Sequence, residues 1–185
     1  MEAYIYIQPI QLPHAEVLDR QTTMRLSVDL ALKFGMDCKV APLIALDEDA
    51  YDPLREQYLA AAILSNLKSR GYSYASKVLG IVGEDLYADT LSFVFGQAEL
   101  GGKYGVISTS RLHPNPQDRN SSIFYERILK ESVHELGHTF GLEHCPNVQC
   151  VMHFSNTLRD TDIKSASFCG HCETWLGMRL KKVAN

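Results

Sequence analysis

Hydrophobic and polar positions along the chain change period several times, and each change marks an element. Tyr4 to Ile10 alternates aromatic and β-branched residues and predicts a first strand. Residues 15 to 34 carry Met24, Val28, Ala31 and Leu32 at helical spacing, with Gly35 as the stop. Val40 to Leu46 reads as a second strand. Asp52-Pro53 is expected to open the next helix as cap and first-turn proline; Leu54, Tyr58, Ala61 and Ala62 mark its inner face and Gly71 its end. Val78, Leu79, Ile81 and Val82 form the continuous apolar run of a buried strand. Leu91, Phe93 and Phe95 alternate with Ser92 and Val94, as in a strand with one exposed face. Gly101-Gly102 separates that segment from Tyr104 to Thr109, which suggests an antiparallel hairpin.

The order is β-α-β-α-β followed by a hairpin. It predicts the α/β class, with a mixed, mostly parallel twisted sheet and an antiparallel edge strand. His113 to Asn120, with two prolines, reads as a loop. Ser121 to Leu142 is expected to be a third helix, its core stripe Tyr125, Leu129, Val133, Leu136 and Phe140. Beyond it the pattern is irregular until a last helix from about Cys172 to Val183. With 185 residues the chain is long enough for one core and is expected to form a single domain, 1–185.

Composition narrows the function classes. The chain is 45% hydrophobic and 22% charged, with a net charge of -4, which gives no basic face for nucleic acid. The cluster Arg179, Lys181 and Lys182 suits the C-terminus of a last helix. No basic segment leads into an apolar run at the start, and no apolar stretch is long enough to cross a bilayer. Five cysteines fit a disulfide framework poorly; four of them crowd into 145–172, while Cys38 lies far upstream and reads as a buried strand residue. Clustered thiols in a chain without a signal favour metal binding in a reducing compartment, so a cytoplasmic location is expected.

The third helix contains His134-Glu135-Leu136-Gly137-His138. Side chains at i and i+4 stack on one helical face, so both imidazoles can reach one ion. Glu135 sits beside them, placed to take a proton from a metal-bound water without ligating the metal. Zinc with three protein ligands keeps an open fourth position and brings the pKa of a bound water to about 7. Gly141 can adopt the left-handed conformation that ends a helix and returns the chain, with His144, towards the same ion. The run His134-Glu135-x-x-His138-x-x-Gly141-x-x-His144 matches the metzincin zinc motif at every defined position. Cys145, Cys150, Cys169 and Cys172 form a C-x4-C and a C-x2-C pair with the spacing of a closed tetrahedral zinc site; two disulfides or four free thiols are the other readings. Met152 lies between the cysteine pairs.

Taken together, these residues resemble the archaemetzincin family of the metzincin clan of zinc metallopeptidases. The resemblance implies a metzincin-like α+β fold with two backing helices, one of them the zinc helix, and a small C-terminal part with a helix: residues 1–141 as upper and 142–185 as lower subdomain. It implies two zinc ions, a catalytic one on His134, His138 and His144, with Glu135 as general base, and a structural one on Cys145, Cys150, Cys169 and Cys172. Met152 would lie in a supporting turn beneath the catalytic ion. The gap from Met152 to Cys169 is one residue shorter than the family pattern. No tyrosine follows Met152 to stabilise an oxyanion, which leaves His153 and Asn156 as polar candidates. The substrate, a peptide or protein, would lie along an edge strand, for which Ser92, Phe93, Val94, Phe95 and Gly96 are the candidates. A monomer with no nucleic-acid or membrane partner is expected. Two alternatives are a catalytically silent zinc-binding regulatory protein on this scaffold and a zinc-ribbon-like interaction module built on the cysteines.

Overall fold

The computed structural model describes residues 4–113 and 122–183. The first strand, β1 (Tyr4–Gln11), is followed by helix α1 (Arg20–Phe34) and the short strands β2 (Asp37–Val40) and β3 (Ile44–Ala45), both parallel to β1. After β4 (Tyr51–Asp52) and β5 (Gln57–Leu59), helix α2 (Ala60–Ser69) leads into β6 (Lys77–Val82). Then come β7 (Leu86–Ala88), β8 (Leu91–Val94), β9 (Gly96–Ala98) and β10 (Tyr104–Ser108). Helix α3 (Ser122–Thr139), the short α4 (Leu158–Ile163) and α5 (Gly170–Val183) complete the chain.

The main sheet runs β2-β1-β6-β10-β9, with β3 extending the β2 side of β1. All its pairings are parallel except β9 with β10, so the expected mostly parallel sheet with an antiparallel edge is what forms. Every residue of β6 is buried, because helices cover both faces of the sheet there. Ile5, Ile7, Leu79, Ile81 and Ile107 pack towards α1 and α3, the two backing helices. Ile10, Val78, Val82 and Val106 pack towards α2. The strand alternation thus feeds two cores, one per face.

Several expectations are corrected. In α1 the stripe Met24, Val28 and Leu32 faces outward, 48, 59 and 78% exposed, while Thr23, Leu26, Ser27, Leu30 and Phe34 face in. The two hydroxyls tolerate the core because each bonds its own helix, Thr23 Oγ1 to Asp19 O and Ser27 Oγ to Met24 O. Asp19, capping Thr22 N–H at 2.9 Å, starts the helix at Arg20 rather than at residue 15. The single strand Val40 to Leu46 is two strands broken around Pro42, which has no N–H for a ladder.

Asp52-Pro53 opens a turn rather than a helix. Asp52 Oδ1 accepts from the backbone N–H groups of Leu54 and Arg55, Leu54 is 96% exposed, and the chain returns through Glu56 at φ 55° into β5. Tyr58 is therefore a buried strand residue and α2 begins only at Ala60. In the hairpin, β8 leaves the main sheet and pairs with β7, closing a second sheet of order β4-β5-β7-β8. Gly96–Ala98 takes its place beside β10. Of the loop from His113, all but its first residue lies outside the described residues. The core stripe of α3 is buried as expected, Leu129 only partly, and α4 had no counterpart in the sequence pattern.

Candidate active site

Helix α3 presents His134 and His138 one turn apart, and its end is shaped by Gly141. There φ is 87°, Gly141 N–H donates to His138 O and Leu142 N–H to Gly137 O, a pair of bonds that reverses the chain. The reversal does two things. It brings the His144 ring to 4.8 Å from that of His138 and 5.3 Å from that of His134. It also turns Leu142 O back to accept from His138 Nδ1 at 2.7 Å. His134 Nδ1 donates likewise to Val151 O at 2.8 Å.

A carbonyl oxygen only accepts, so both Nδ1 atoms carry the proton and both Nε2 atoms present lone pairs. Those two Nε2 atoms face each other at 3.0 Å. Two acceptors at that distance repel unless a cation lies between them. Nitrogens bound at 2.0–2.1 Å to a tetrahedral zinc would stand about 3.3 Å apart, close to what is seen. The ligand atoms of all three histidines lie within 4.8 Å of one another. Burial lowers the pKa of all three, His134 well below the usual imidazole range and His138 to about 4, so the imidazoles are in the neutral, ligating form.

Glu135 is 4% exposed, and its Oε2 has no hydrogen-bond partner among the described residues. Burial drives its pKa well above the carboxylate range; the neighbouring Glu131 adds to this and Lys164 opposes it. Room for this carboxylate comes from Gly96. A Cβ there would stand 2.7 Å from Glu135 Cγ and 2.7 Å from Val106 O, so the edge strand can approach α3 only as glycine.

Beneath the histidines, Met152 is wholly buried. A Cβ on Gly137 would lie 2.4 Å from Met152 Sδ, so the glycine inside the zinc motif is what seats this methionine against the helix. The sequence offered that signal, a glycine in mid-helix, without its meaning.

The four clustered cysteines are unpaired, and their sulfurs lie within 4.8 Å of one another, an arrangement that suits one shared ion better than two separate disulfides. Cys145 Sγ and Cys169 Sγ stand 3.8 Å apart, the separation of about 3.8 Å that Zn–S bonds of 2.3 Å impose on a tetrahedron. The backbone N–H of Cys172 pulls the Cys169 thiol down to about 7, while burial raises Cys150 and Cys172. Cys145 N–H also donates to Met152 O at 2.9 Å, so the turn carrying Cys150, Val151 and Met152 serves both ligand clusters. Cys38 lies apart in β2, half-buried against the core rather than within it, and its thiol is pushed up to about 12 by burial.

Two buried charges escaped the sequence reading. Lys164 is wholly buried, with Nζ 3.0 Å from Glu131 Oε1 and 3.5 Å from His153 O, and Thr161 Oγ1 donates to the same carboxylate oxygen. Arg127 grips Asp162 through two bonds of 2.8 Å. Together they bolt α4 to the turn of α3 just ahead of the histidines. Only the position of Glu131, one turn before Glu135, hinted at this.

The histidines and Glu135 open into a cleft of about 640 Å³. One wall is the run Ser92 to Ala98, which contains the whole Ser92–Gly96 candidate segment; the other is formed by Glu143, His144 and Phe154–Asn156. The edge of the main sheet in this wall is β9, which shares only Gly96 with that segment. Asn156 borders the cleft, whereas His153 Nδ1 donates to Cys145 O and its ring is not part of the lining.

Comparison with known proteins points one way. The model of peptidase family M54 matches residues 3–178. The archaemetzincin of Methanopyrus kandleri is 48% identical over 138 residues, 74% of this chain and 75% of that protein. The archaemetzincin of Pyrococcus furiosus is 46% identical over 157 residues, 80% of each chain. The crystal structure of the M. kandleri protein superposes with a TM-score of 0.81 at 38% identity, covering 97% of this chain and 96% of that one.

Proposed function

The chain belongs to peptidase family M54, the archaemetzincins, and is a zinc metallopeptidase; from that premise we propose how its own residues divide the work. His134, His138 and His144 hold a catalytic zinc, and Cys145, Cys150, Cys169 and Cys172 hold a second, structural one, two per chain. The convergence of neutral imidazole nitrogens on one point supports the first assignment, and the tetrahedral sulfur spacing supports the second. When bound, the catalytic ion supplies a Lewis acid that acidifies water and polarises a peptide carbonyl.

The observation that carries the reading is Glu135. Its sealed, unpartnered Oε2 and raised pKa fit a group that takes a proton from the attacking water and delivers it to the departing amine. Val151 O and Leu142 O orient the ligand rings, and Met152 forms the floor beneath them. The peptide lies extended along the free edge of β9, flanked by β8, with its backbone pairing to the strand. Of the two residues considered for the oxyanion, His153 and Asn156, Asn156 is the one that borders the cleft. We read residues 142–185 as a lower subdomain closed by the cysteine site. No described helix is long and apolar enough to cross a membrane. The clustered thiols support a reducing, cytoplasmic setting, and the net charge of -4 supports a chain that does not bind nucleic acid; we take it to act as a monomer.

Glu135→Ala is expected to retain zinc at the parent level while kcat falls by about 10²–10⁴-fold on a peptide library read by mass spectrometry. Parent-like turnover by this variant would overturn the assignment. A zinc-loaded parent that cleaves nothing would favour the silent regulatory scaffold instead.

A further inference from the structure

The cleft has a one-sided chemistry. Among the described residues no lysine or arginine lines it, whereas Glu131, Glu135 and Glu143 do. Glu131 is offset by Lys164 at 3.0 Å, and Glu135 is sealed in the floor. Glu143 is different: it is exposed on the rim, one residue before His144, with no ion-pair partner among the described residues. Around it the lining is apolar and open. Leu91, Leu100 and Phe154 expose 40, 58 and 37% of their surface to this one space. Phe154 tilts its ring against that of His144 at 4.8 Å. Leu100 precedes Gly101, whose N–H is bonded to His138 O at 2.8 Å. The histidine cluster is thus flanked by an exposed aromatic group on one side and an exposed aliphatic group on the other.

Apolar side chains gathered in the open around a reactive centre lose contact with water only when a ligand covers them. A ligand carboxylate in the same place would meet Glu143 and find no side-chain cation to pair with, and such like-charge juxtaposition rejects partners strongly. We propose, resting on the peptidase reading above, that the cleft is a specificity filter. It takes extended peptides with a bulky apolar side chain beside the scissile bond and rejects those with an acidic side chain there. Phe154 and Leu100 supply the contact, and Glu143 supplies the repulsion.

The test uses binding, so that it does not depend on turnover. Fluorescein-labelled peptides identical except for a central Leu, Gln or Glu are titrated against zinc-loaded Glu135→Ala by anisotropy. The Leu peptide is expected to bind at least about tenfold tighter than the Glu peptide. Adding Phe154→Ala should remove most of the advantage of Leu over Gln. Adding Glu143→Gln should narrow the gap between Gln and Glu, as should raising the salt concentration. Melting temperatures and zinc content should stay at the parent level in both, which separates loss of contact from loss of fold. Equal binding of the three peptides, no binding of any, or a Glu143→Gln variant that discriminates like its parent would overturn the proposal. The same peptides are then offered to the wild-type protein. Selective binding without cleavage would sink the catalytic reading and leave the filter standing; cleavage indifferent to the central residue would do the reverse.

Discussion

The two ligand clusters lie on neighbouring residues, His144 and Cys145, yet are built by opposite rules. The histidine cluster starts from a regular helix, takes its third member from a turn, and grades from buried His134 through half-buried His138 to exposed His144. The cysteine cluster gathers four sulfurs from irregular backbone and the start of α5, with no cleft opening onto it among the pockets that line the histidines. An ion that must exchange ligands during a reaction needs one open side and rigid supports. An ion that only holds chain segments together needs neither, and four thiolates suffice. The turn from Cys150 to Met152 joins them, since Val151 O orients His134 while Met152 O anchors Cys145.

That asymmetry can be broken in order of expected effect. Lys164→Met strands the Glu131 carboxylate in the interior and is expected to cost about 3–5 kcal/mol, read from urea unfolding. Adding Glu131→Gln should recover most of the loss, and a double variant no better than the single one would deny that the pair acts as a unit. Cys150→Ala should abolish the cysteine zinc and weaken the histidine zinc about 10–100-fold through the loosened Val151 carbonyl. His138→Ala, by contrast, should remove one zinc and leave the other at parent affinity. Metal titration of both variants tests whether coupling runs in one direction only.

Gly137→Ala is a smaller perturbation. Alanine favours the helix by about 1 kcal/mol, but the displaced Met152 should reverse that to a net loss of about 1–2 kcal/mol. The smallest effect concerns Lys77, which donates to Thr139 O at 2.6 Å and Gly102 O at 2.7 Å, and whose pKa burial lowers to about 8. The unfolded chain keeps that proton up to about pH 10.5, so it binds more protons than the fold between about 8 and 10.5. Stability from this group therefore rises with pH across that window. Lys77→Met should flatten the difference, seen as a shift in urea midpoint between pH 8 and 10.

What the sequence disclosed follows the same division. The two clusters of candidate ligands were legible because a metal site constrains spacing: an i, i+4 pair of histidines and the C-x4-C and C-x2-C intervals leave a local trace. The parallel sheet was legible because β6 is buried on both faces and shows it in every residue. The inner face of α1 was not, since Thr23 and Ser27 hide their polarity by bonding their own backbone. Asp52-Pro53 carries the chemistry of a turn and of a helix start alike, and tertiary context chose the turn. The Glu131–Lys164 pair spans 33 residues and has no local pattern at all. The strand beside β10 is Gly96–Ala98, which shares only Gly96 with the expected segment; the alternation of Leu91, Phe93 and Phe95 marks β8, whose partner is β7, and carries no sign of which sheet it joins.

The turn at Cys150 to Met152 also sets an order of assembly. His134 and His138 precede in the chain both the carbonyl that aims one of them and the sulfur that lies under their helix. Val151 and Lys164 follow, and Cys169 and Cys172 come later still. A nascent chain that already possesses all three imidazoles therefore lacks the floor and the clamp that would make them a competent site. The site is therefore held from downstream: residues 150–172 bring the guiding carbonyl, the floor, the clamp and three of the four clustered thiols to a helix that already carries two of the three imidazoles.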